Sequence, residues 1–315
     1  MSQPSRVALA LGSGGARGYA HIGALQVLRE RGHEVAAIAG TSMGALVGGL
    51  TAAGKLEEYT EWALSLTSRA VFMMLDPTLS APGAIRAKPV LRVVNELLEG
   101  ARIEDLPIPF TAIACDIDAR REVWFQHGPV AVAVRASIAI PSVITPVIVN
   151  GRILVDGGIL NPVPVEPITG AGADFTVAIS LSGDRAGRQS PVESSAPRTN
   201  PDTVMQRLRA WLPTKAESPG DAVEEVAAVA ESAVSLGLPE EIHDLPPGLK
   251  VSDVISKSMD ATSALVARYR LAGHPPDVLV RVPVDACGTM DFHRAAEMIE
   301  LGRELTEKAL DEAGR

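Results

Sequence analysis

A serine flanked by glycines lies near the start of the chain, in the stretch Gly40-Thr41-Ser42-Met43-Gly44. This G-x-S-x-G pattern is typical of a nucleophile elbow, in which a serine hydroxyl projects from a sharp turn between a strand and a helix. Gly40 and Gly44 would let the neighbouring backbone pass close by without a Cβ clash. Because short patterns also occur by chance, the stretch alone predicts either an activated nucleophile or a plain turn.

A second glycine-rich stretch, GSGGARG at residues 12–18, follows the apolar run RVALAL. Successive backbone N–H groups in such a loop bind an anion, either a dinucleotide pyrophosphate or the oxyanion of an acyl-transfer intermediate. The dinucleotide pattern G-x-G-x-x-G is not met, because Arg17 stands where the third glycine belongs, and the next strand ends at Ser42 instead of an acidic residue. The sequence therefore favours an oxyanion hole and leaves a nucleotide-binding oxidoreductase as an alternative.

A serine nucleophile needs a group that accepts its proton. The stretch LVDGG places Asp156 at the end of an aliphatic run, and its two glycines leave room around the carboxylate. An aspartate in a tight turn is the simpler interpretation of the same stretch. The candidate histidines, His243, His274 and His293, lie in stretches that do not mark a general base. A Ser-His-Asp triad is therefore disfavoured, but it stays an alternative.

Short apolar runs alternate with helical patterns around both glycine stretches. RVALAL and VAAIA predict two strands, each followed by a glycine-rich turn and a helix, which is a βαβα unit with a parallel sheet. Adjacent parallel strands would put the glycine loop and Ser42 at the same sheet edge, where α/β proteins bind ligands. FTAIACD and EVWFQ predict one hairpin, and Asn150-Gly151 predicts another.

The composition changes at Ser182, where a polar segment rich in Ser, Pro and Gly begins. Regular patterns resume beyond it, with helices predicted over 222–235 and 252–272, a last strand DVLVRVPV and a closing helix. We therefore expect a single domain over residues 1–315 that carries a polar flexible insertion at about 182–219. Within the insertion, MQRLRAWLP at 205–213 fits either docking on a membrane surface or packing as a helix or lid.

Composition and charge exclude several classes of protein. The net charge is −9 with no basic stripe, so nucleic acid is not an expected partner. The two cysteines and six histidines are scattered, which predicts neither a disulfide framework nor a metal site. The sequence has no signal-peptide pattern and no apolar run of roughly 18 residues, so we expect a cytoplasmic protein, with peripheral contact to a membrane left open.

Three motifs in this order, GSGGARG, GTSMG and DGG, resemble those of the patatin-like phospholipases, in particular the bacterial soluble branch. The stretches EDLPIPFTAIACDI, AVRASIAIPSVITPV and LVDGGILNPVPV extend the resemblance over residues 6–182, and DFHRAAEMIELG carries it more weakly. The resemblance implies a three-layer α/β/α fold with a mainly parallel central sheet. It also implies a Ser-Asp dyad without a catalytic histidine, in which Ser42 is the nucleophile and Asp156 the base.

The same resemblance assigns an oxyanion hole to the loop that contains Gly14, Gly15, Ala16 and Arg17. The first three residues would supply N–H groups, while Arg17 would orient the loop or favour an anionic substrate. Ser13 departs from the four glycines often found at this place but keeps its N–H group. The polar insertion has no counterpart in the family pattern.

Together these features predict a serine lipid acyl hydrolase that cleaves carboxylic esters through an acyl-enzyme, with no cofactor and no metal. The expected partner is a lipid or acyl-ester substrate, and the sequence does not choose among phospholipid, lysophospholipid, monoacylglycerol and short esters. The stretch Phe72, Met73, Met74 and Leu75 is a candidate acyl channel, although apolar residues at this spacing also fit an ordinary core. A non-catalytic regulatory or scaffolding protein with this fold stays an alternative, and the oligomeric state is not indicated.

Overall fold

The computed structural model describes residues 5–74, 88–141, 143–185 and 251–315. The helix predicted over 222–235, the segment MQRLRAWLP and most of the predicted insertion lie outside these residues. Apart from Val251, the described residues belong to one compact unit.

Eight strands form one sheet in this part of the chain: β1 Arg6–Leu11, β2 Glu34–Thr41, β3 Phe110–Asp116, β4 Arg121–Phe125, β5 Val147–Val149, β6 Arg152–Asp156, β7 Phe175–Gly183 and β8 Val278–Pro283. The sheet order is β5-β6-β3-β2-β1-β7-β8, with β4 also paired to β3. Strands β3, β2, β1, β7 and β8 are parallel, whereas β4 and β6 run antiparallel to β3. The mainly parallel sheet that the sequence predicts is therefore confirmed.

The helices of the described residues are α1 Ala20–Glu30, α2 Met43–Ala52, α3 Leu56–Leu64, α4 Ser68–Met74, α5 Lys88–Leu98, α6 Val130–Ser137, α7 Val251–Gly273 and α8 Ala295–Glu312. They cover the sheet on both faces, which confirms the three-layer α/β/α fold. The predicted helix over 252–272 corresponds to α7.

The side chains of β1 explain how the two faces differ. Successive residues of a strand point to opposite faces, so Leu9 and Leu11 join the large aliphatic core that contains residues of α1, α2 and α8. Ala8 and Ala10 point to the other face, where they pack in a smaller cluster with Ala267 of α7. The small alanine side chains let the elements on that face lie close to the sheet.

The hairpin predicted at Asn150-Gly151 is confirmed, since β5 and β6 pair across it. Both turn residues have positive φ, 50° for Asn150 and 75° for Gly151, as the favoured two-residue hairpin turn requires. The hairpin predicted from FTAIACD and EVWFQ is also confirmed as β3 and β4. Strand β7 extends to Gly183, a little beyond the point where the sequence predicts the polar insertion to begin.

Strand β3 brings together two strands that are far apart in the sequence. Its first half pairs with β2, up to the pair Thr41 and Ile113. Its second half pairs with β6, beginning with the next residue, Ala114, which pairs with Asp156. Because β2 is parallel and β6 antiparallel to β3, both strands end at the same point along β3. The turn after Thr41 and the end of β6 therefore lie next to each other.

Candidate active site

Ser42 occupies the sharp turn between β2 and α2. It has a φ of 56° and a ψ of −121°, a backbone conformation that non-glycine residues rarely adopt. The flanking glycines are needed sterically, because a Cβ on Gly40 would overlap the Gly44 carbonyl and one on Gly44 would overlap the Leu11 carbonyl. The turn therefore has the strained geometry of a nucleophile elbow.

The backbone of Ser42 is held by a buried hydroxyl group. The Ser42 amide donates a hydrogen bond of 2.8 Å to Oγ of Ser137, and the Ser137 hydroxyl donates one of 2.5 Å to the Ile113 carbonyl. Ser137 is fully buried at the end of α6. The sequence analysis did not single out Ser137, although it lies in the stretch AVRASIAIPSVITPV that carries part of the family resemblance.

Asp156 ends β6 and is only 5% exposed. Its amide donates to the Ala139 carbonyl at 2.9 Å, and its Oδ1 accepts a hydrogen bond of 2.7 Å from the Gly158 amide. Burial raises the pKa of the Asp156 carboxyl to about 6, while hydrogen bonds from the Ser42 side chain and the Gly158 amide act in the opposite direction. The carboxylate is therefore ionised at neutral pH and able to take up a proton near pH 6.

The glycine loop after β1 begins with residues whose amides are already engaged. The Ser13 amide donates to the Pro162 carbonyl and the Ala16 amide donates to the Thr289 carbonyl, both at 2.9 Å. The Gly14 and Gly15 amides have no acceptor among the residues that the structure describes. Of the three N–H groups that the sequence analysis expected for an oxyanion hole, those of Gly14 and Gly15 are thus available and that of Ala16 is not in this conformation.

Arg17 connects the glycine loop to the segment after β8. Its side chain is buried and donates to the carbonyls of Val284 at 2.9 Å and Cys287 at 3.4 Å. The guanidinium also lies 3.9 Å from the carboxylate of Asp260 on α7. These contacts hold the loop in place, which agrees with the orienting role expected for Arg17.

His21 contacts the start of the same loop. This histidine is completely buried, and its Nε2 lies 2.9 Å from the Gly12 carbonyl. Burial lowers the pKa of His21 to about 4, so the ring is neutral at neutral pH and donates its Nε2–H to that carbonyl. His21 therefore has a structural role in fixing the start of the glycine loop.

A cavity of about 140 Å³ brings the predicted residues together. Ser42, Asp156, Gly14, Gly15 and Arg17 all line it, whereas Ala16, Gly40 and Gly44 do not. The histidines that the structure describes are absent from its lining, and His243 lies outside the described residues. A Ser-His-Asp triad thus finds no support in this part of the chain.

Helix α7 closes one side of the cavity, which the sequence did not indicate. Its residues Met259 and Asp260 line the cavity, and the Ser263 hydroxyl donates to the Gly158 carbonyl at 3.1 Å. Farther along α7, Nε of Arg270 donates to the Leu160 carbonyl at 2.8 Å. The helix is therefore attached at two places to the segment that follows Asp156.

The acyl channel suggested by the stretch around Phe72 is not found. Phe72 and Met73 are 69% and 71% exposed, and neither lines a cavity next to Ser42. The side chain of Met74 and all of Leu75 lie outside the described part of the chain. The structure instead turns Val71 of the same helix inward.

Metal sites and membrane-spanning helices can be judged for the described residues only. No group of three or more His, Cys, Asp or Glu side chains there is arranged to hold a metal ion. None of the helices described is both long and apolar enough to span a membrane.

Comparison with known proteins gives the family. Residues 9–169 match the family model of the patatin-like phospholipases. The uncharacterised NTE family protein Rv1063c of Mycobacterium tuberculosis is 44% identical over an alignment that covers 98% of this chain and 92% of that protein. Patatin-like phospholipase domain-containing protein 6 of Homo sapiens is 33% identical over 56% of this chain, which corresponds to 13% of the human protein. The chain therefore belongs to the patatin-like phospholipases, a family of lipid hydrolases.

Proposed function

We propose that the protein is a serine lipid acyl hydrolase that cleaves carboxylic esters with Ser42 as nucleophile and Asp156 as the only general base. The observation that carries this proposal is that Ser42 and the buried Asp156 line one cavity where β2 and β6 meet on β3. A base works best when its pKa lies near the operating pH, and burial moves the pKa of Asp156 to about 6, towards that range.

In the first step, Oγ of Ser42 attacks the ester carbonyl carbon while Asp156 takes up the hydroxyl proton. The carbonyl oxygen becomes an oxyanion, which the amides of Gly14 and Gly15 stabilise by hydrogen bonds. Each such donor is worth roughly 3–4 kcal/mol when it is aimed at the developing charge in advance. The contacts of Arg17 and His21 support this step because they hold the glycine loop before the substrate binds.

In the second step, the tetrahedral intermediate collapses and the bond to the leaving alcohol breaks. The departing oxygen takes the proton from Asp156, and the acyl group stays on Ser42. Asp156 then removes a proton from water, which attacks the acyl-enzyme carbonyl. Release of the carboxylic acid returns the proton to Oγ of Ser42, so the cycle needs only water and the ester.

The test is hydrolysis of p-nitrophenyl esters and phospholipids by the wild type, Ser42→Ala and Asp156→Asn. We expect both variants to lose at least about a thousandfold in kcat, because nucleophile and base act as one unit. Asp116→Asn is the control, since Asp116 is a buried carboxylate of β3 that does not line the cavity. Hydrolysis that survives in folded Ser42→Ala would contradict the proposal, and a wild type without activity would favour a non-catalytic role.

A fluorophosphonate probe tests the nucleophile directly, because it forms a covalent bond with an activated serine. Wild type and Ser65→Ala should be labelled, while Ser42→Ala should not. Ser65 is an exposed serine that follows α3 and does not line a cavity next to Ser42. Labelling of Asp156→Asn should be strongly slowed, since the probe needs the same deprotonation as a substrate.

A further inference from the structure

Ser42 lines a second cavity as well as the one that contains Asp156. The second cavity has a volume of about 90 Å³. Gly15, Ser42 and Ile140 line both cavities, so the two meet at the candidate nucleophile. A group bound covalently to Oγ of Ser42 would have access to either one.

The second cavity is lined almost entirely by apolar and aromatic side chains. The chain has only three Trp, three Tyr and five Phe, and four of these aromatic residues line this one cavity, namely Tyr19, Tyr59, Trp62 and Phe292. Their rings are in contact, with centroid distances of 5.5 Å between Tyr59 and Trp62 and 6.1 Å between Tyr19 and Phe292. The rings of Tyr19 and Tyr59 also pack together, with centroids 6.4 Å apart.

The first cavity is mixed in character, because polar groups line it together with apolar side chains such as Ile255 and Met259. Arg17, Asp156, Asp260 and Ser263 bring charged and hydroxyl groups to its walls. An apolar chain placed there would take water away from these groups and offer no hydrogen bond in return, which costs free energy. A polar alcohol fragment or a water molecule finds hydrogen-bonding partners in the same place.

An ester that reacts at Ser42 must extend in two directions from its carbonyl carbon. One half is the acyl chain and the other is the leaving alcohol. With the carbonyl held between Ser42 and the glycine loop, the two cavities that meet there offer one almost wholly apolar path and one path with polar groups on its walls. The chemistry of the walls then decides which half enters which cavity.

We propose that the apolar cavity around Tyr59 and Trp62 binds the acyl chain of the substrate, and that the mixed cavity around Asp156 receives the leaving alcohol and then the attacking water. This inference rests on the proposed function, because it assumes that Ser42 attacks an ester. It makes the aromatic cavity the element that selects for acyl-chain length.

The volume of the apolar cavity limits how far kcat/KM can rise with acyl-chain length. Each methylene group moved from water into an apolar site favours binding about fourfold. The second cavity is small, with a volume of about 90 Å³, so it holds only a short part of an acyl chain. We therefore expect kcat/KM to rise about fourfold per methylene over the first few methylenes beyond acetate, and to level off for longer chains.

The experiment uses p-nitrophenyl esters from acetate to octanoate with the full chain. Val90 of α5 lines the apolar cavity and is only partly buried. Val90→Phe therefore fills the cavity without adding a large side chain to the buried core. We expect the kcat/KM of this variant to lose its rise with chain length from acetate to octanoate. Val93→Phe is the matched control, because Val93 lies on the same helix, is also partly buried and lines neither cavity.

A second pair of variants tests the same inference in case Val90→Phe does not fold. Ile144→Phe fills the same cavity from another wall, and Ile148→Phe places the same substitution on an exposed residue outside both cavities. We expect a flattened chain-length series for Ile144→Phe and the wild-type series for Ile148→Phe. A series that is flat in the wild type, or that keeps its rise in folded Val90→Phe and Ile144→Phe, would overturn the inference.

The outcomes separate this inference from the proposed function. Hydrolysis that is lost in Ser42→Ala but does not respond to the cavity-filling variants would leave the proposed function intact and refute the acyl site alone. Hydrolysis that does not depend on Ser42 would refute both.

Discussion

Oγ of Ser137 accepts a hydrogen bond of 2.8 Å from the amide of Ser42, and this contact holds the candidate nucleophile in its strained turn. Two residues later, the Ala139 carbonyl accepts the amide of Asp156 at 2.9 Å. The end of α6 thus holds the backbones of both candidate catalytic residues. A non-glycine residue with positive φ costs roughly 1–3 kcal/mol and persists only where the surrounding structure fixes it.

We first predict that Ser137→Ala lowers kcat for p-nitrophenyl esters by roughly tenfold to a hundredfold, with KM changed by less than about twofold. The reason is misplacement of Ser42, for which losses of this size are usual. The free energy of unfolding should fall by about 1–3 kcal/mol, because the Ser42 amide is left buried without an acceptor.

The rate of fluorophosphonate labelling separates a positioning role from a purely structural one. Labelling of Ser137→Ala should slow in parallel with kcat, and Ser137→Cys, which keeps a weak acceptor, should restore part of both. An Ser137→Ala variant that loses stability but is labelled at the wild-type rate would argue against a positioning role.

The second prediction concerns pH. Burial raises the pKa of Asp156 to about 6, and the general base must be ionised to accept the Ser42 proton. We expect kcat/KM to increase as the pH rises from 5, with half of the maximum near pH 6 and a plateau above pH 7. Because kcat/KM reports groups of the free enzyme, acetate and butanoate esters should give the same apparent pKa. A profile that is flat between pH 5 and 7 would contradict Asp156 as the base.

The third prediction is that Asp156→Asn gains stability over the wild type as the pH rises. The folded-state pKa of about 6 lies above the ordinary value of 3.8, so the wild type loses stability as the pH rises from about 4 through about 6. Asparagine does not titrate, and its amide oxygen still accepts a hydrogen bond from Gly158. The advantage of the variant should therefore grow by up to roughly 3 kcal/mol between pH 4 and pH 8.

Urea unfolding at the two pH values measures this difference. The buried His21, whose pKa falls to about 4 in the folded protein, removes stability as the pH falls below about 6.5. This loss is common to both proteins and cancels in their difference. If the difference is the same at pH 4 and pH 8, the Asp156 carboxyl is not destabilised by burial as described.

The fourth prediction tests the glycine loop. Gly15 has a φ of 58°, and a Cβ there would overlap the Thr289 carbonyl that accepts the Ala16 amide. We expect Gly15→Ala to displace the loop and to lower kcat by at least about a hundredfold, in line with the loss of one oxyanion donor. The control is Gly32→Ala, since Gly32 has a φ of 78° with open space around it and lies after α1, away from the site.

Gly32→Ala should lower the stability slightly through its backbone conformation and leave kcat unchanged. Equal losses of activity in Gly15→Ala and Gly32→Ala would mean that the loop geometry at Gly15 has no special part in turnover.

The sequence by itself determined the features that depend on neighbouring residues. Aliphatic runs of five to eight residues predicted the buried strands, and Asn150-Gly151 predicted a hairpin because few residue pairs accept two positive φ angles. The G-x-S-x-G pattern predicted the sharp turn at Ser42 for the same kind of reason, since only glycine fits where two backbones approach so closely. The order of three such local patterns was enough to predict the family and the three-layer fold.

Only the tertiary structure decided how the predicted strands, turns and glycine loop are arranged around the candidate site. Ser42 and Asp156 are more than a hundred residues apart in the sequence, and they adjoin because β2 and β6 end at one point on β3. The tertiary structure alone also brings the Ser137 hydroxyl to the Ser42 amide and the Thr289 carbonyl to the Ala16 amide. It likewise places α7 beside the cavity. Such contacts leave no periodic pattern in the chain, because they depend on how whole elements pack and not on the conformation of neighbouring residues.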